Sequence, residues 1–546
     1  MNDLHVIHSR NGRIGGRADT DIHGIDAIVA GLADDPRRHL VLHFHGGLVS
    51  KEAGMAIADR LMMGPNPVYS PSSTEGGYPL FYVWESGVWE TIRNNLTELA
   101  DEPVFKQVLR KVVQYGLERL GAQEMAASGV GRSVSPGSCG SHEVEVRKVF
   151  DTFWSKPGPR TIPYRHFDAM SGPEQARSVD ALFAADTAGV QDEVLADLQS
   201  DTEFQMALAT LPDLPPATRS AFAPAGTQER RSAFSELAAR EFSKESHARG
   251  LVELYQVAKF LVRVVHAVLQ RRANRRDHGL YATCVEEAVR AFKLAGSGLN
   301  EWGKALEWNR MKQDVVDAFG PDPQLHAATA LLSRLQGAIA KGMRLDRVTL
   351  VGHSTGAIFI AHWLARSQDF LPSSLKQDVV FLAPAITYEL FAQTVRAHGT
   401  AIGSFRMFAM QDAAERDDQV WGTDQELPGG QDWRRYIYPS SLLYLVSGIL
   451  ESQVDAHGEV RDQADVPLVG MQRYFSAQDT YTQEVDPAFA CVDTARDWLA
   501  ARPDALVWSI AHGQANGMNS TSIDHGAFDE DEATLNSLRH IVTQGF

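Results

Sequence analysis

Residues 347–366 read RVTLVGHSTGAIFIAHWLAR and change character twice. Arg347–Val351 is a short run of β-branched and aliphatic residues, the composition of a buried strand. Ala357–Arg366 sets Ile360, Trp363 and Leu364 at helical spacing, so one face of a helix is apolar. Between them stands Gly352-His353-Ser354-Thr355-Gly356, which fits the pattern G-x-S-x-G. Alone the pattern is weak, because ordinary glycine and serine usage yields it in about one chain in four of this length. Its setting between strand and helix carries the weight. A serine hydroxyl is a poor nucleophile and must be presented clear of its backbone, beside a base. A very tight turn does this if the flanking residues are small, and the following helix aims N–H groups at the serine.

Outward from this turn, short apolar runs alternate with helical patterns. Upstream, His5–His8 is a strand candidate, and Ile22, Ile25, Ile28, Val29 and Leu32 recur at helical spacing before Pro36. Leu40–Phe44 is a buried-strand run that stops at Gly46-Gly47, a helix is expected over Glu52–Met62, and Leu80–Trp84 is another strand. Downstream, Leu325, Ala328, Leu332, Leu335 and Ile339 line a helix, and Val379–Leu382, Phe405–Met410 and Leu506–Ile510 are further strands. Such alternation implies crossover connections and a mainly parallel sheet.

The rhythm breaks between Gly87 and Gly320. There the chain is helix-prone, as in the stripe Leu251, Leu254, Val257, Leu261 and Val264, with a loop at Ser128–Ser141 and breaks at Pro212, Pro215 and Pro216. The expected organisation is an α/β core split over 1–86 and 321–546. A helical insertion at 87–320 and a smaller one at about 415–489 interrupt it.

The 546 residues are 44% hydrophobic, enough to bury a large core without disulfides or metals. A formal net charge of -17 argues against a general nucleic-acid binder, which presents a basic face. The run Arg271, Arg272, Arg275 and Arg276 reads as decoration on a solvated helix. Cys139, Cys284 and Cys491 form no C-x-x-C pair and fit a reducing compartment. The N-terminus lacks the pattern of a secretory signal. The most apolar windows, Phe260–Leu269 and Leu442–Leu450, fall short of the roughly 18 residues of a spanning helix. A soluble, cytoplasmic protein without a transmembrane segment is expected. Peripheral contact with a membrane stays open, as does the oligomeric state.

The GHSTG of residues 352–356 resembles the nucleophile elbow of esterases and lipases in the α/β-hydrolase superfamily. The likeness covers about residues 1–86 and 321–546. It implies an α/β-hydrolase fold with a helical cap or lid, Ser354 as nucleophile, and Gly352 and Gly356 shaping the elbow. It also implies an oxyanion hole in which one N–H comes from Thr355. His45-Gly46-Gly47-Leu48 resembles the family's His-Gly oxyanion motif, which makes Gly47 the second donor. Leu48 stands where the HGGG variant has a third glycine, so Leu48 is the other candidate.

The superfamily order of serine, acid and histidine implies that the base follows the last strand. His525, in Ile523–Phe528, resembles the His-Gly-x-Phe found there; His512 is its rival, and His540 reads as a helix-surface residue. The acid implied is Asp412, just beyond Phe405–Met410, with Asp417 next; most of the other loop acids, which include Glu415 and Asp418, read as solvated charges. His43-x-His45 invites a metal reading. The Gly-Gly-Leu that follows lacks the acid and third histidine of a binuclear hydrolase, so no metal and no cofactor is expected.

The resemblance implies hydrolysis of a carboxylic ester, small or lipid-like, through an acyl-enzyme. The same machinery also serves thioesterases, amidases and acyltransferases, and a catalytically silent scaffold is the reading from a different class.

Overall fold

A computed structural model describes residues 3–16, 18, 20–46, 49–71, 73, 75–85, 102–127, 187–210, 242, 251–277, 280–295, 308–418, 420–426, 432–438, 440–451 and 465–546. Six strands come first in the chain: β1 (Val6–Arg10), β2 (His39–Phe44), β3 (Tyr78–Glu85), β4 (Arg347–His353), β5 (Gln377–Leu382) and β6 (Ile402–Met410). A hairpin of β7 (Val420–Glu426) and β8 (Asp432–Tyr438) precedes β9 (Leu506–Ser509). One sheet of seven strands has the order β1-β3-β2-β4-β5-β6-β9, and every neighbouring pair is parallel. Each strand expected from the alternation is in it. The chain is an α/β protein with an all-parallel central sheet.

Parallel sheets are covered on both faces, which is why these strands read as nearly continuous apolar runs. On one face Val41, Phe81, Val83, Val351, Val380 and Phe408 pack with Leu61 of the helix Lys51–Met63 and Leu538 and Ile541 of the helix Glu532–Gln544. On the other, Phe44, Tyr82 and Trp84 meet Phe359 of the helix Gly356–Ser367.

The sheet belongs to a compact unit made of Met1–Ile92, Leu306–Asp418 and Ser441–Phe546. Arg93–Ala305 and Gln419–Ser440 make a second. The helix Trp308–Ala318, inside the insertion expected at 87–320, falls in the sheet unit. The stretch expected as one insertion at 415–489 is divided between the two units, because the β7–β8 hairpin belongs with the second. Within the sheet unit, Leu443–Leu450 is buried throughout and forms part of the core.

The second unit contains the helices Pro103–Ala127, Thr187–Ser200, Thr202–Leu208, Leu251–Ala273 and Leu280–Ala295. Its core includes Val108, Val112, Leu198, Phe204, Val257, Leu261 and Val265. Arg271 is not solvated as the basic run suggested. It is buried against Leu280–Ala295, where its guanidinium binds Glu286 and, at 3.2 Å, Glu287. A buried guanidinium is tolerated because carboxylates pair with it. The Ser128–Ser141 loop, Cys139, Pro212, Pro215 and Pro216 lie outside the described residues. No described helix is long and apolar enough to cross a membrane.

Candidate active site

Strands β2 and β4 are neighbours, yet their onward connections leave in opposite directions, β2 towards β3 and β4 towards β5. In an open parallel sheet such a switch leaves a crevice beyond the carboxyl ends of the strands, where ligands bind. The register pairs Phe44 with Gly352, so the turns after the two strands stand side by side. Gly46 follows one strand and Ser354 the other.

Ser354 has φ +52°, a left-handed conformation that costs a non-glycine residue energy. Hydrogen bonds from both its backbone groups hold it there. Its N–H donates to the Leu382 carbonyl at 2.8 Å, and its own carbonyl accepts from Ala385 N–H at 3.0 Å. The glycines are fixed by contact. A Cβ built on Gly356 would stand 2.4 Å from the Phe44 carbonyl oxygen, and one on Gly352 would stand 2.7 Å from the Gly356 backbone. At Gly46 it would meet the Ser354 Cβ at 3.4 Å, so the turn that leaves β2 lies against the serine. Thr355 is buried at the start of the helix Gly356–Ser367. Gly47 and Leu48, the alternatives for the second oxyanion donor, lie outside the described residues.

His525 Nε2 is 3.0 Å from Ser354 Oγ. The loop after β9 delivers it: Ala511 and Ser520 pair backbone to backbone at 2.7 and 2.8 Å, and Thr521 N–H is held by Asp531, the cap of the last helix. Asp524 then caps the short turn His525–Asp529. The imidazole is buried, and burial, helped by the nearby His353, lowers its pKa to about 3. It is neutral at neutral pH and can accept a proton from the serine. His512 is exposed, and His540 sits half-buried on the last helix.

Asp412 is not brought to His525. Its carboxylate accepts from the Tyr444 hydroxyl at 2.5 Å and pairs with Arg416 at 2.6 Å. Burial pushes its pKa up, but Arg473, Arg416 and Tyr444 together hold it below the ordinary value. Asp417 is exposed. It is Asp418 that reaches the histidine, accepting from the His525 main-chain N–H at 3.1 Å. Among the described residues His525 Nδ1 has no hydrogen-bond partner. Glu415 was expected among the solvated acids and is instead buried. It binds the Ser441 hydroxyl, and burial raises its pKa well above the ordinary carboxylate range.

The two histidines of β2 and its end do not converge. His45 Nδ1–H donates to the Gly46 carbonyl at 2.6 Å, and its Nε2 accepts from Trp84 N–H at 3.2 Å. Both ring nitrogens are used, and they tie the end of β2 to β3. His43 Nδ1 faces the Tyr69 hydroxyl at 2.9 Å. Among the described residues no group of three or more His, Cys, Asp or Glu side chains is placed to hold a metal ion.

Two contributors escaped the sequence reading. Asp418 was one acid among several in a crowded loop, and nothing in the residue order separates it from Asp417. His353 carried a signal, a ring placed inside the turn itself. It is buried, and its Nε2–H donates to the His525 carbonyl at 3.0 Å. Compared with protein-family models, curated proteins and solved structures, the chain matches none.

Proposed function

We propose that the chain is a serine hydrolase of the α/β-hydrolase type, cleaving a carboxylic ester through an acyl-enzyme on Ser354. The observation that carries this reading is the 3.0 Å contact between Ser354 Oγ and His525 Nε2, residues from distant strand ends. The left-handed serine on a strand-to-helix turn supports it, as does the chain order of serine, acidic segment and histidine after β4, β6 and β9.

In the proposed reaction His525 Nε2 takes the hydroxyl proton as Ser354 Oγ bonds to the substrate carbonyl carbon. The negative charge passes to the carbonyl oxygen, which rests on the Thr355 amide and the amide of Gly47 or Leu48. Collapse expels the alcohol, which leaves with the proton from His525. Water, deprotonated by the same imidazole, then releases the acid. Thioesters and amides would pass through the same steps.

Labelling with a fluorophosphonate tests the reading. The wild-type chain takes up the probe at one site, and Ser354→Ala and His525→Ala abolish uptake. A wild-type chain that stays unlabelled, or a label that persists in Ser354→Ala, refutes it.

A further inference from the structure

His353 immediately precedes the serine and is buried. Its Nε2 lies 3.0 Å from the main-chain oxygen of His525. A carbonyl only accepts, so this nitrogen carries the proton and the tautomer is fixed. The two imidazole rings lie 5.7 Å apart, centre to centre, and tilted by 32°. Asp529, at the far end of the turn His525–Asp529, is buried and close enough for the His353 ring to act on its carboxyl. On its other side Asp529 pairs with Arg60 at 3.5 Å.

Consecutive residues of the elbow therefore grip one residue of the histidine loop at two points. Ser354 bonds its ring and His353 bonds its main chain. The bond to the ring holds the imidazole to the serine, whereas the bond to the main chain fixes where the backbone that carries the ring stands. The backbone bond from Asp418 to His525 N–H adds a third point from another strand end.

We infer that His353 is a positioning residue, whose Nε2–H clamps the His525 carbonyl to the nucleophile elbow and sets the reach from imidazole to serine. The role rests on the reading of Ser354 and His525 as nucleophile and base. Catalytic contacts are sensitive to such placement, since an error of about 1 Å can cost about 100-fold in rate. The bond is lost if the donor goes, even where the space stays filled.

The test compares the second-order rate of fluorophosphonate labelling, and the thermal midpoint, for wild type, His353→Leu, His353→Gln and His353→Asn. Leu fills space without a donor, Gln keeps an N–H at comparable reach, and Asn falls a bond short. The expected result is a rate lowered about 10- to 100-fold in Leu and Asn and mostly restored in Gln, with midpoints close together. If Leu does not fold, Asn against Gln decides. Equal rates in all folded variants overturn the clamp, as does a folded Gln variant as slow as Asn. A wild-type chain that takes no label overturns the underlying reading, and the clamp with it.

Discussion

Asp418 accepts a hydrogen bond from the main-chain N–H of His525 at 3.1 Å, while Asp412 is held by Tyr444 and Arg416. The orienting acid of a serine–histidine pair has to reach the ring nitrogen turned away from the serine. Here that is Nδ1, which has no partner among the described residues. Asp418 is the carboxylate bonded to the same residue's main chain, and contacts of this kind are commonly loose before substrate binds. Asp418→Asn should lower the labelling rate by about 100- to 10,000-fold. Asp412→Asn should leave the rate within a few-fold of wild type and lower stability, because Arg473 is buried and loses a counter-charge. Loss of labelling in Asp412→Asn but not in Asp418→Asn would reverse the assignment. If only Glu415→Gln lost it, the buried Glu415 would take the role.

The elbow glycines allow a sharper stability comparison. At Gly356 an added Cβ would lie 2.4 Å from the Phe44 carbonyl oxygen, so a side chain anchored on the first turn of a helix would meet main chain at the end of β2, a strand paired on both sides. Nothing there can give cheaply. Gly356→Ala should destabilise the fold by at least about 2 kcal/mol, towards the upper range for overpacked sites. Gly337 is also followed by helix, in Ala327–Ala340, but a Cβ there meets nothing within 4 Å. Gly337→Ala should stabilise by about 0.5–1 kcal/mol, the ordinary helical preference. Urea midpoints measure both. A Gly356→Ala midpoint equal to wild type would show that the turn is looser than these contacts require.

The strands were legible because a two-sided parallel sheet writes itself as contiguous apolar runs; Leu40–Phe44 and Val348–Val351 show no alternation to confuse. Serine and histidine were legible because each follows a strand end at a turn with its own glycine. Which acid stands beside His525 was not legible, since Asp412, Glu415 and Asp417 share one short helix that Asp418 ends, and residue order does not tell which way each side chain faces. Arg271 and Glu415 were misplaced for a related reason. Sequence marks a charge as polar, but a partner distant in the chain, Glu286 or Ser441, decides whether it can be buried.

Buried imidazoles set the acid limit of the fold. Burial is the largest influence in each case: it lowers His39, His43 and His525 to about 3 and His45 to about 4, and moves His5 and His362 in the same direction. In the unfolded chain these rings titrate near 6.5. Below that pH the unfolded state binds protons that the folded state refuses, so stability rises with pH through this window and is complete above it. Glu415 and Asp529 oppose this, because their raised pKa values favour the folded state at low pH. Two carboxyls do not cancel six imidazoles, each able to add a slope of up to about 1.4 kcal/mol per pH unit. Thermal midpoints should therefore fall steadily from pH 6.5 to 4.5. His43→Phe, which keeps a ring against Phe81, should flatten the slope whatever it does to the midpoint at pH 7. A midpoint that holds constant or climbs on acidification across this range would mean that the rings take up protons in place, and that water reaches them.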